Sequence, residues 1–188
     1  MAASDLTTLA NAKQWLGVTV TTDDALLTRL VTAASNFMQT WMNRQIANQS
    51  YSETRNGTGG QRLMLANYPV TAVASLYISG IQILPTTYPM NGYQTPGFLF
   101  DTTQLYLVGY DFCRGPQNIA VSYTAGFAST PLELEQACIE LIGMKYREKD
   151  RIGLHSKVLA GETINYVIAD MPDSVLAVLD NYKKVIPL

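Results

Sequence analysis

NIAVSYTAGFASTPLELEQACIELIGMKYREKD, residues 118–150, reads as a strand, a glycine-centred corner and a long helix. Ile119, Val121 and Tyr123 alternate with Ala120, Ser122 and Thr124, the period of a half-buried strand. Thr130-Pro131 opens the helix, with Thr130 expected at the cap and Pro131 at the first helical position. Glu133 follows Thr130 by three residues, which predicts a capping box. Leu134, Ala137, Cys138, Leu141, Ile142 and Tyr146 form a wide apolar face, and Leu132 and Ile139 widen it. Only a narrow polar stripe remains: Glu133, Gln136, Glu140, Gly143 and Arg147. Such a helix is expected to be covered on more than one side. A glycine in that stripe costs about 1 kcal/mol of helix propensity, a sensible cost if another backbone approaches there.

Upstream, two helices are predicted. In the first, Thr7 or Thr8 caps, Leu9, Ala12 and Leu16 share a face, and Gly17 terminates. The second starts at Thr22-Asp23-Asp24, whose carboxylates suit the positive end of a helix, and runs to about Arg44. Its apolar stripe is Leu26, Leu27, Leu30, Val31, Ala34, Phe37, Met38 and Trp41. The opposite face, Thr28, Thr32, Ser35, Gln39 and Asn43, is polar but uncharged. That face is either a neutral solvated surface or one packed on a neighbouring subunit.

Between these helices and the quoted stretch the pattern turns to period two with frequent turn signals. Residues 51–55 and 61–65 flank NGTGG, which predicts a hairpin. In residues 70–79, Ala72, Ala74, Leu76 and Ile78 are expected on one face, and a turn at Ser79-Gly80 leads into 81–84. Residues 98–100 and 105–108 flank Asp101-Thr102-Thr103 as another hairpin. Downstream, KYREKDR is a mixed-charge helix end, GLHSKVLAG a flexible loop, 163–168 a short β segment, and Pro172 opens a last helix through Tyr182 with Val175, Val178 and Leu179 inward. The fold class is therefore α+β. A bundle of about four helices (two N-terminal, one long central, one C-terminal) carries a small antiparallel β-rich subdomain between the second and third.

A chain of 188 residues predicts one domain, and 47% hydrophobic residues suffice for its core. Only 15% of residues are charged, against roughly 25% in an average soluble domain. A chain that buries its sides against copies of itself tolerates that composition. A net charge of −2 with no basic block argues against affinity built on phosphate contacts. Cys113 and Cys138 lack metal or redox spacing and read as ordinary thiols of a reducing compartment. The first residues lack the pattern of a signal peptide, and no apolar run approaches the ~20 residues of a membrane span, so no membrane partner is expected.

No catalytic constellation, cofactor motif or metal cluster is legible. His155, the single histidine, has no Asp, Glu or Cys at ligand spacing. NGTGG is followed by neither Lys-Ser nor Lys-Thr nor a long helix, so it reads as a turn. Glu133 and Glu140 fit a polar helix stripe, and the eleven tyrosines are not interleaved with Lys and Arg.

Three segments in order resemble the head–tail connector (adaptor, or head-completion) proteins of long-tailed bacteriophages. The first is LTTLANAKQWLGV with TTDDALLTRLVTAASNFMQTW, an AKxWLG motif followed by a D-rich helix start. The second is ANYPVTAVASLYISG, and the third is IAVSYTAGFASTPLELEQACIELIGMKYREKD, with its Y-x-A-G-F, proline and terminal Y-R. Together they span residues 6–150. The resemblance implies a non-enzymatic virion protein, assembled in the host cytoplasm, that forms a ring of commonly about twelve copies under the portal. Its implied partners are itself, the portal, stopper or tail-completion proteins, and double-stranded DNA that passes without sequence-specific binding.

On that reading the chain is one connector domain, 1–188. It comprises helices in 5–47, a β-rich part in 49–125, a central helix in 130–152, and a loop, strand and helix in 153–188. Residues 85–115 look like an insertion relative to shorter members. The uncharged face of the second helix and the narrow stripe of the third are the candidate subunit interface. Gly153, Leu154, His155, Ser156, Lys157 and Gly161 form the candidate docking loop, with the C-terminal helix also expected to order on docking. The alternatives are another neck protein, a stopper or tail terminator, or a small nucleic-acid-binding or enzymatic domain.

Overall fold

The computed structural model describes residues 4–87, 93–149, 156–159, 162–165 and 171–184, the strands within 156–165 by their backbone alone. The chain divides into two compact units, one of Met1–Ala47 with Thr130–Leu188 and one of Asn48–Ser129.

The first unit is helical. Its helices are α1 (Leu9–Leu16), α2 (Asp24–Met42), α3 (Leu132–Glu148) and α4 (Asp173–Tyr182). Helix α1 is capped by Thr8, whose hydroxyl accepts from Asn11 N at 3.2 Å, and ends at Gly17 with φ 71°. That left-handed conformation is one a residue with a Cβ adopts at a cost, so the glycine sets the stop. Helix α2 ends two residues before the expected Arg44, at a left-handed Asn43. Both α2 and α3 pack on all three other helices. Leu27, Val31, Met38, Leu134, Leu141 and Ile142 are buried in this unit. Two strands, β8 (Ser156–Leu159) and β9 (Glu162–Asn165), pair antiparallel in the same unit.

The expected capping box of α3 does not form. Pro131, with ψ 135°, stands outside the helix as its cap residue and makes no side-chain cap bond. The helix thus starts one residue later than predicted, and its first turn closes with Glu135 N on Pro131 O at 3.0 Å. Glu133 instead accepts from the Tyr182 hydroxyl at 3.4 Å. Leu132, expected to widen the apolar face, is exposed.

The second unit holds β1 (Gln49–Gly57), β2 (Arg62–Met64), β3 (Val70–Ile78), β4 (Ile81–Ile83), β5 (Gly97–Phe100), β6 (Gln104–Val108) and β7 (Gly115–Ala125). One antiparallel sheet has the order β1-β7-β3-β4 and the other β2-β6-β5. The hairpin expected across NGTGG is absent, because β1 pairs with β7 and β2 with β6, in different sheets. The turn between β3 and β4 is as expected, with Ser79 and Gly80 both at positive φ, the hairpin geometry that matches strand twist. The β5–β6 hairpin also forms, its turn tied by Asp101.

Two register shifts of β3 against β7, between Val70 and Ala72 and between Val73 and Ser75, re-aim its side chains. Ala72 and Ala74 face outward while Val70, Leu76 and Ile78 are buried, so the predicted single face is broken by bulges. Both sheets contribute to one core, including Leu63, Leu76, Phe98, Leu105, Ile119 and Val121. Residues 85–115, read as an insertion, supply β5, β6 and the core residues Phe98, Leu105, Leu107 and Phe112.

Candidate interaction surfaces

The uncharged face of α2 has mostly been claimed by the chain itself. Ser35 and Gln39 are buried. Ser35 Oγ accepts from Leu6 N at 2.9 Å, and Gln39 Nε2 donates to Ser4 O at 2.9 Å. Thr32 Oγ1 donates to Asp5 Oδ2 at 3.3 Å. The segment before α1 therefore lies along this face and uses its polar groups, where the sequence suggested a neighbouring subunit. Thr28 Oγ1 donates back to Asp24 O at 2.8 Å, a local bond that helical threonines commonly make. Asn43 is exposed as the cap of the helix.

The stripe of α3 divides similarly. Gly143 is buried, and a Cβ built on it would meet Leu16 Cδ2 and Trp15 Nε1, each at 3.7 Å. The element that approaches this glycine is α1 of the same chain. Gln136 Nε2 donates to Glu140 Oε1 at 3.2 Å, and Ser174 Oγ to Glu140 Oε2 at 3.2 Å, so Glu140 ties α4 to α3. Glu133 and Arg147 are exposed. Of the docking-loop residues, Gly153, Leu154, His155 and Gly161 lie outside the described residues. Ser156 and Lys157 belong to β8.

The carboxylates at the start of α2 do more than suit its dipole. The Tyr146 hydroxyl donates to Asp23, and Lys149 Nζ lies 3.6 Å from it. That hydroxyl, with help from the lysine charge, holds the Asp23 carboxyl below its ordinary value. Asp24 pairs with Lys13 at 2.6 Å. These contacts join residues 11 and more than 120 positions apart and leave no trace in local sequence. Cys138 is buried beside Ser35 Oγ at 3.7 Å, and burial pushes its thiol up to about 11, the environment of an inert thiol.

What sequence reading missed are two apolar openings in the helical unit. The first is a groove of about 600 Å³ bordered by α2, α3 and α4 and lined by Leu30, Phe37, Trp41, Ile142, Lys145 and Leu176 among others. Lys145 is its one charged lining residue, and Lys183 Nζ sits 5.4 Å from the Trp41 ring centre. The second lies between α1 and α3, where Trp15, Leu132 and Ile139 line a shallow opening whose one charged lining residue is Glu135. The signal for the first was present: the apolar stripe of α2 is wider than one core contact fills, and Leu30, Phe37 and Trp41 form its edge. Among the described residues no group of His, Cys, Asp or Glu has the make-up of a metal site, and no helix is long and apolar enough to cross a membrane.

Apolar openings on a rigid helical frame, with polar side chains spent on holding that frame, are the make-up of a structural subunit. The chain belongs to the head completion protein family, whose pattern it matches over residues 5–185. It is thus a structural protein of the virion neck, where a phage head is completed. No curated protein matches it. Its fold is shared with solved subunits of gene transfer agent (GTA) particles. One, from the neck of an empty particle computed with C6 symmetry, has a TM-score of 0.60 at 18% identity, covering 100% of this chain and 95% of that one. Another, from the virion of a native particle, scores 0.58 at 19% identity, covering 96% and 90%. A third, from a native neck computed with C12 symmetry, scores 0.57 at 18% identity, covering 100% and 98%.

Proposed function

We propose that this chain is the subunit of a ring, of about twelve copies, that sits beneath the portal and joins the DNA-filled head to the tail. The observation that carries the reading is membership of the head completion family across residues 5–185. It is supported by likeness of fold, over nearly the whole chain, to neck subunits of particles with sixfold and twelvefold symmetry. The ring extends the DNA channel and offers a surface to stopper or tail-completion proteins. DNA is a passenger: a chain with net charge −2 and no basic block holds phosphates weakly. The work is structural and needs no cofactor.

Electron microscopy of virions with this chain labelled tests the reading. The expected result is a ring of label between portal and tail. Its absence from the particle, or its location in the tail tube, overturns the proposal.

A further inference from the structure

The two apolar openings lie on different flanks of α3. At about 100° per residue, the α3 residues of the groove (Leu141, Ile142, Lys145) and those of the α1-side patch (Leu132, Glu135, Ile139) centre more than a quarter-turn apart. Each opening exposes large side chains that a lone subunit leaves wet: Phe37 at 43% and Trp41 at 40% in the groove, Trp15 at 54% and Leu132 at 79% on the patch. Tryptophan is the residue type most enriched at the energetic centre of protein contacts.

Their charges decide what each one meets. Groove on groove would set Lys145 against its own copy, and patch on patch would set Glu135 against its own copy; like charges brought together cost affinity. Groove on patch sets lysine against glutamate. We infer that the α1–α3 patch of one subunit docks into the α2–α3–α4 groove of the next, with Trp15 and Leu132 entering beside Phe37 and Trp41. The occupant of the groove is thus a second copy of this chain. Two different surfaces meeting head to tail generate a ring when the rotation closes, whereas a self-complementary contact stops at a dimer. This inference rests on the ring reading above and supplies its joint.

Cysteine cross-linking in assembled particles tests it. Leu132→Cys and Lys145→Cys are placed together in a chain whose exposed Cys113 is replaced by serine; both sites are exposed, so the fold tolerates them. Within one subunit the two positions are about 20 Å apart along α3, beyond the reach of a disulfide. Mild oxidation of particles is expected to give a ladder of dimers, trimers and higher multimers, and either single variant none. Lys145→Glu alone is expected to lower incorporation about tenfold, the loss of a little over 1 kcal/mol per joint. Rings present in the particle without a ladder overturn this joint and leave the ring reading intact. Dimers from Leu132→Cys alone overturn it in favour of a two-fold contact. Absence of the chain from particles overturns both.

Discussion

The helical and β units differ most in where their charge lies. The β unit, Asn48–Ser129, holds six charged residues: Glu53, Arg55, Arg62, Asp101, Asp111 and Arg114. The remaining 22 fall in the helical unit. The low charge of the whole chain is therefore a property of the β unit, and the helices are charged as ordinary solvated helices are. Most of the six are also spent locally. Glu53 pairs with Arg55 at 3.0 Å and accepts from the Tyr123 hydroxyl. Asp101 accepts from Thr103 N at 2.7 Å and Tyr106 Oη at 2.8 Å, and Arg62 lies over the Tyr106 ring. The outward positions of β1 and its neighbours are Ser50, Ser52, Thr54, Ala72 and Ala120. One unit thus presents shaped apolar openings with a charge beside each, and the other a surface of small uncharged groups. Only the first kind distinguishes one neighbour from another by charge.

The comparison breaks most visibly through the cores. Leu76→Ala in the β unit and Leu134→Ala in the helical unit each delete a fully buried side chain, so each is expected to cost about 2–5 kcal/mol in denaturant titration. A much smaller loss in either would mean that unit's core is less close-packed than its burial indicates. Next in size is Tyr123→Phe. The hydroxyl bridges Glu53 and Asn67, whose backbone N donates to it at 3.0 Å. Its removal leaves both short of a partner, for a loss of about 1–3 kcal/mol.

The same tyrosine gives an alkaline signature. Burial first, then the Glu53 hydrogen bond, push its phenol up to about 12. The neutral phenol is the form the fold favours. Its contribution is complete below the ordinary tyrosine value of about 10 and is lost as pH rises through about 12. Absorbance titration is expected to show one phenolate ionising that late, and the Phe variant to lack it.

Asp101 gives the acid counterpart. Hydrogen bonds from Thr103 N and then Tyr106 hold its carboxyl down to about 2. Its contribution is present above the ordinary carboxylate value of about 4 and disappears as pH falls through about 2. Asp101→Asn is expected to flatten the acid limb of the stability curve without moving the neutral plateau much. The smallest expected effect is in the helical unit. Gly143→Ala places its Cβ at ordinary contact distance from Trp15 and Leu16, so thermal unfolding is expected to report a gain of up to about 1 kcal/mol. Gly143→Leu overfills the same space and is expected to cost about 1–3 kcal/mol.

Sequence reading recovered what is local and periodic. Strand β7, the α1 cap at Thr8, the Ser79-Gly80 turn and the order of four helices follow from spacing and turn chemistry within a dozen residues. It failed where distant segments compete for the same groups. NGTGG has hairpin composition, yet β1 finds its partner some 60 positions away in β7. Ser35 and Gln39 look like open surface because nothing near them in sequence announces Leu6 and Ser4. Gly143 was read correctly as a close-approach site and assigned the wrong neighbour, since periodicity shows that a face is covered but not by which chain. The bulges in β3 shift faces without any glycine or proline to mark them.

Trp15 and Trp41 are the chain's two tryptophans, and they stand half-exposed at the two openings of the helical unit. Each half of the inferred joint thus carries its own optical label. A subunit in solution holds both indoles in water, and any contact that covers either ring moves its emission to shorter wavelength. Assembly can be timed in a fluorimeter with the native chain, before any substitution is made.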